Sequence, residues 1–263
     1  MLADLRTEIA RGLHGAIAKL TLENTLHGSW FASDDHPQVV ITSNWDSLVE
    51  QAAASAGREV RYLWPVDAAR RRRYTLRRGT VVILKLHGSI DWGTDARRNV
   101  SATPIKRYYA DLRTPIGAST KFRRGNKRSD LVLRFKSIEG VKDRDGMAVG
   151  FDPPLMATMA VGKYDHIGAL HDVWDDAYWC LSRASALDII GYSFPADDLE
   201  LRTLLRVTTR QAGKAGLAKA LDLGVSNPAP EAHERARGFL GGPIRSEYTG
   251  AEGWRPHGRK PAG

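Results

Sequence analysis

With 263 residues, 42% of them hydrophobic and 26% charged, the chain has the composition of a soluble globular domain long enough to bury a full core. Its apolar runs are strand-sized, too short for a membrane span, and the opening MLADLRTEIARGL lacks the long apolar segment of a secretory signal. A single cysteine, Cys180, excludes an intramolecular disulfide and a four-cysteine zinc site, and a cytoplasmic location is the expectation.

Leu2, Leu5, Ile9, Leu13, Ile17 and Leu20 recur at three and four, the period of one helical face, and predict a helix over residues 2–26. Residues 27–37 read as loop. Residues 38–42 form a short buried strand. Residues 46–56 follow as a helix, with Asp46 as N-cap and Gly57 closing the last turn. Alternation over 58–64, stopped by Pro65, suggests a second strand. Residues 81–86, Val-Val-Ile-Leu-Lys-Leu, predict the central strand.

Residues 94–150 are basic and contain glycines, with strand-like pieces such as 131–135, and read as an inserted subdomain. Pro153-Pro154-Leu155-Met156 marks the return to the scaffold. Residues 167–184 predict a helix with Leu170, Val173, Trp174, Ala177 and Leu181 on one face. A strand at 186–190 and a helix at 199–210, preceded by Asp197 and Asp198, come next. Residues 212–221 are helix or linker, 221–226 a strand ending at Asn227-Pro228, and 231–240 a helix. The Gly/Pro-rich tail, 241–263, is expected to be loose. Strands alternating with helices predict an α/β fold, a doubly wound, mostly parallel, Rossmann-like sheet. One domain over 1–240 would carry the basic insertion 94–150.

The net charge of +9 is concentrated in the middle of the chain. Residues 70–144 hold 21 Lys and Arg against 6 Asp and Glu, whereas the remainder holds 18 against 24. Runs such as Arg70-Arg71-Arg72-Arg73 and the stretch 121–128 can contact phosphate backbones, so a nucleic-acid partner is conceivable. A solvated loop surface is the favoured reading, because charge runs usually face water.

Three strand ends carry short polar clusters: Ser43-Asn44-Trp45-Asp46, His87-Gly88-Ser89 and Gly191-Tyr192-Ser193. Open α/β sheets bind ligands beyond the carboxyl ends of their strands, which predicts one shared site. Histidine is the usual proton carrier near neutral pH. The Asn44 amide can hold a water or a sugar hydroxyl, and the Asp46 carboxylate can accept from an amide. Gly191 and Ser193 suit a phosphate or ribose contact, and Asn227 another ribose. Each cluster alone has a plainer reading. Asn44 and Asp46 could be a turn and a helix cap, His87 a structural hydrogen-bonder, and Gly191-Tyr192-Ser193 a turn. Ser193 lies outside a Gly-x-Ser-x-Gly elbow, which disfavours a hydrolase nucleophile. His27, His166 and His171 lack metal-ligand spacing and are left as packing or surface residues.

In order and spacing these clusters resemble the sirtuin-like family of NAD-binding proteins, most closely its zinc-free bacterial branch. The resemblance rests on Ile41-Thr42-Ser43-Asn44-Trp45-Asp46, Lys85-Leu86-His87-Gly88-Ser89, Pro153-Pro154-Leu155-Met156, the stretch 189–198 and Val225-Ser226-Asn227-Pro228. It spans residues 1–240 and is weakest in the basic segment. It implies NAD hydrolysis at the nicotinamide–ribose bond, in antiphage defence. His87 would be the general base. Asn44 would position the water or the nicotinamide-side ribose, and Asp46 would meet the nicotinamide amide. Thr42 and Gly88 belong to the same binding set. Gly191 and Ser193 would line the phosphate and ribose path, and Asn227 the adenosine ribose. Homo-oligomers are common among such proteins.

Two departures qualify the resemblance. The family opens with a strand and a Gly-Ala-Gly-type loop that receives the pyrophosphate. Gly12, Gly15 and Gly28 are not in that pattern, so the chain is expected to begin in the helical region after the loop. Activity would then need a loop supplied by a longer gene product. The inserted region also has no Cys-x-x-Cys pairs, which predicts no zinc and disfavours protein deacetylation. The alternative function is a catalytically impaired or truncated sirtuin-like module whose basic segment docks nucleic acid or an acidic partner.

Overall fold

The computed structural model describes residues 2–17, 19–22, 25–32, 36–63, 66–67, 72–73, 75–90, 92–93, 102–104, 133–135, 156–157, 164–212, 221–240, 244 and 246–248. Two units make up the chain, residues 1–174 and 175–263.

The leucine periodicity at the amino end produces helix α1, Leu2–Ile17, which stops short of the predicted end. Lys19 N–H and Leu20 N–H bond three residues back, to Ala16 and Ile17, so the winding tightens and ends. A second helix, α2 (Leu26–Phe31), forms where loop was expected. Thr25 starts this helix, because its hydroxyl donates to the Leu22 carbonyl (2.6 Å) and accepts from Gly28 N–H (3.0 Å), which caps α2. Trp30 and Phe31 of α2 are buried.

Strand β1, Val39–Thr42, leads through helix α3, Leu48–Ser55, to strand β2, Glu59–Arg61. Gly57 closes α3 as predicted, at φ 71°, with its N–H on Ala54 and that of Arg58 on Ala53. That is the paired-bond helix ending that a left-handed residue makes possible. Strands β3 (Val66–Asp67) and β4 (Arg72–Arg73) form a short antiparallel pair. Strand β5, Thr80–Lys85, lies between β1 and β2 and parallel to both, as a central strand should. Val81, Val82, Ile83 and Leu84 are all fully buried. Burial of each such side chain stabilises the fold by roughly 1.5–3 kcal/mol.

Beyond β5, strands β6 (Trp92–Gly93), β7 (Ala102–Pro104) and β8 (Leu133–Phe135) form an antiparallel sheet in the order β6-β8-β7. The strand-like piece predicted at 131–135 contains β8. Apart from β7 and β8, the proposed insertion 94–150, including the basic run 121–128, lies outside the described residues, as do Arg70 and Arg71. Met156 pairs with Gly88 in an antiparallel bridge.

Helix α4, Tyr164–Leu181, begins three residues before its predicted start, and the unit boundary falls within it after Trp174. Leu170, Val173, Ala177 and Leu181 of the predicted face are buried.

The second unit is a β-α-β-α-β run: β9 (Ala186–Ile190), α5 (Leu199–Ala212), β10 (Asp222–Ser226), α6 (Pro230–Leu240) and β11 (Ser246–Tyr248). All three strands are parallel, with β10 in the middle. The run 213–220 and residues 249–263 of the tail lie outside the described residues. Strand β11 corrects the expectation of a wholly loose tail. It pairs with the free edge of β10, from Gly224↔Ser246 to Ser226↔Tyr248. Three residues are too few to display an alternation, so the sequence carried no sign of it. The architecture is α/β and Rossmann-like. No helix among the described residues is long and apolar enough to cross a membrane.

Candidate active site at the tips of two neighbouring strands

Because β1 and β5 are parallel neighbours, their carboxyl ends open on the same edge of the sheet. Their last paired residues are Thr42 and Lys85. Leu86 N–H extends the ladder to the Thr42 carbonyl at 2.9 Å. Asn44 and His87 each sit two residues past that last pair. The loops that carry them are then tied again, since the Trp45 carbonyl accepts from Ser89 Oγ (3.1 Å) and from Ile90 N–H (3.0 Å). The structure therefore brings Thr42, Asn44, Asp46, His87 and Gly88 together.

The Thr42 hydroxyl shapes the first loop by accepting from Asn44 N–H at 3.0 Å. Asn44 is exposed there. Asp46 Oδ1 accepts from Leu48 N–H at 2.9 Å. Helix α3 thus starts two residues later than predicted. Ser47 stands at the cap position, but its hydroxyl accepts from the Gln51 side chain (Nε2, 2.8 Å) and caps no backbone N–H, while Asp46 does the capping from one residue further out. The reason is local, because the Asx-type bond of Asp46 fixes the residues that would otherwise wind into the first turn.

His87 is 2% exposed. Its carbonyl accepts from Ala157 N–H at 2.9 Å. Its ring lies 6.3 Å from that of Trp174, centroid to centroid, and Trp174 Nε1 donates to the Leu86 carbonyl at 2.9 Å. Gly88 turns the chain at φ 78°, a conformation that costs other residues roughly 1–2 kcal/mol. Electrostatic interactions of an imidazole buried this deeply are screened less than they would be in bulk water.

His27, expected to be a packing or surface residue, is half-buried with its ring 4.7 Å from that of Trp30, and it lies within the field of Asp46, nineteen residues away on another element. Burial lowers its pKa below the ordinary 6.5, and the Asp46 charge partly raises it again. The unfolded chain therefore binds this proton more readily than the folded one. Stability from neutral His27 is complete above about pH 6.5 and is lost as pH falls from there towards the lowered folded pKa. Denaturant midpoints at pH 7.5 and 5 should fall less in His27→Gln than in the wild type. They should fall more in Asp46→Asn, which removes the offsetting charge.

The second unit gathers the other three predicted residues around its own strand tips. Gly191, at φ 71°, donates its N–H to the Ser226 carbonyl at 2.8 Å. Ser193 is exposed, and its carbonyl accepts from Arg235 Nε at 2.7 Å. Phe194 follows at φ 54° while buried, a strained position for a non-glycine residue. Tyr192 donates to Asp198 Oδ2 at 3.2 Å, and burial first, then Asp198, pushes the phenol pKa well up.

Asn227 is buried and committed to the backbone at both ends of its amide. Nδ2 donates to the Tyr192 carbonyl (3.2 Å) and Oδ1 accepts from Ala229 N–H (2.9 Å). Asn227→Asp keeps the bond from Ala229 but cannot donate to Tyr192. It should cost about 1–3 kcal/mol in denaturant titration, the penalty for stranding a buried carbonyl.

Among the described residues no group of three or more His, Cys, Asp or Glu could hold a metal ion. Residues 38–127 match the family model described as a SIR2-like domain. The matched span begins one residue before β1 and contains both tied loops. It supports a sirtuin-like family, whose members bind NAD. No curated protein matches the chain.

Proposed function

We propose that the protein hydrolyses NAD between nicotinamide and ribose at the tips of β1 and β5. One observation carries the reading. Asn44 and His87 stand on neighbouring parallel strands, on loops joined through the Trp45 carbonyl. Such joining holds an amide and an imidazole in fixed relation, as positioning for attack requires.

The exposed Asn44 carboxamide holds the attacking water or the ribose next to nicotinamide. Asp46, with Oδ1 engaged by Leu48, offers its other oxygen to the nicotinamide amide. The water oxygen bonds to C1′ of the ribose while the C1′–N bond breaks, and nicotinamide leaves with the bonding pair. His87 takes the water's proton and later releases it to solvent. The products are nicotinamide, ADP-ribose and a proton. Thr42 shapes the Asn44 turn, and Gly88 lets the backbone reverse beside the base. Depleting NAD suits a role in antiphage defence.

The test is to incubate purified full-length protein with NAD and separate the products. Equal release of nicotinamide and ADP-ribose without any acylated peptide is expected. No release, or release only with an acetylated peptide present, would contradict the proposal.

A further inference from the structure

The last residue of β5, Lys85, is fully buried, and so is Glu50 in the first turn of α3, at 0% and 3% side-chain exposure. Their charged atoms are 2.8 Å apart. The same ammonium also donates to the Asp46 carbonyl. Three elements that build the site, β5, α3 and the Asn44–Asp46 loop, thus converge on one nitrogen.

Net stability is a poor explanation for such a pair. Removing two charges from water is expensive, and apolar residues of similar volume often replace buried ion pairs without loss. What a methionine could not supply is a donor aimed at a backbone carbonyl. Lys85 stands two residues before His87 and Ser89 two residues after it. These two grip consecutive carbonyls of the other loop, Lys85 that of Asp46 and Ser89 that of Trp45. The loop carrying Asn44 is therefore clamped on both sides of His87. We infer that the buried Lys85–Glu50 pair is a positioning device, which fixes the Asn44–Asp46 loop against the His87 turn. Glu50 holds the ammonium in place, and the ammonium holds Asp46. The catalytic consequence rests on the NAD-cleavage reading, whereas the clamp itself can be tested without NAD.

Because a single substitution would strand a buried charge, the informative variant is the double Lys85→Met/Glu50→Leu in the full-length protein. Amide hydrogen exchange is measured at Ile90 and Leu48, which bond to the Asn44–Asp46 loop, and at Val82 and Leu86, which bond to β1 or the residue before it. Exchange at Ile90 and Leu48 should accelerate at least about tenfold, while Val82 and Leu86 stay protected. The kcat for NAD should fall by about 10- to 100-fold with KM within about threefold, the pattern of a misplaced catalytic group. Unchanged protection at Ile90 and Leu48 would overturn the inference. So would loss of protection at all four amides, because the pair would then hold the fold rather than the loop. If the wild type does not cleave NAD, the functional proposal fails and the exchange pattern alone decides the clamp.

Discussion

Alanine at His87 should lower NAD cleavage by roughly 10²–10⁴-fold, the range that a positioned general base contributes. Among the described residues 86–90 of the β5 turn, His87 alone carries an imidazole, and the backbone that follows it is held. Ala157 N–H bonds to its carbonyl and Gly88 pairs with Met156. Removal of the ring should therefore leave the turn standing. Because the ring is buried, some stability is lost as well, and turnover must be compared at a temperature where both proteins are folded. Asn44→Ala separates the two effects. Asn44 is exposed, so its stability should change by no more than about 0.5 kcal/mol while turnover falls sharply. NAD cleavage that persists in both variants would remove these residues from the site.

Ile83→Ala should be the most damaging core substitution near the site, at about 2–5 kcal/mol in denaturant unfolding. Strand β5 has partners on both sides, and Ile83 is wholly buried in its middle. Side chains alternate along a strand, so Ile83 shares a face with Val81 and Lys85. A cavity there lies directly below the buried ion pair. Val39, half-buried on the outer strand, should cost clearly less when cut to alanine. Equal losses at Val39 and Ile83 would mean that β5 is not the centre of this sheet.

The elements that were legible in the sequence are those whose pattern is self-contained. The run 81–86 is apolar enough to announce a strand covered on both faces, and β5 occupies 80–85. The three- and four-residue spacing from Leu170 to Leu181 gave the buried face of α4. Gly57 marked its helix end because only a left-handed residue fits there. What was lost depends on partners far along the chain. Periodicity carried the predicted first helix on to residue 26, whereas α1 ends at Ile17 and Thr25 caps a separate helix, α2. Strand β11 exists because β10 has a free edge. Asp46 was recognised as a cap, although the helix it serves starts two residues later than expected.

The juxtaposition of the candidate residues was legible only in part for the same reason. Polar residues after predicted strands pointed to Asn44 and His87, but which strands are neighbours is not written in either motif. Only the pairing of β1 with β5 joins them. Lys85 was hidden inside an apolar run, and its partner Glu50 lies 35 residues away, with no spacing rule to connect the two. His27 and Asp46 are linked just as invisibly. Asn227 was expected to meet a ribose, and most of its amide is spent on Tyr192 and Ala229.

Addition of NAD to isotopically labelled full-length protein, followed by the side-chain signals of Asn44 and His87, tests the shared dinucleotide groove most directly. Both the Asn44 carboxamide and the His87 ring should shift together and saturate at the same NAD concentration. Movement of neither signal, or saturation at different concentrations, would mean that the tips of β1 and β5 do not form one NAD site.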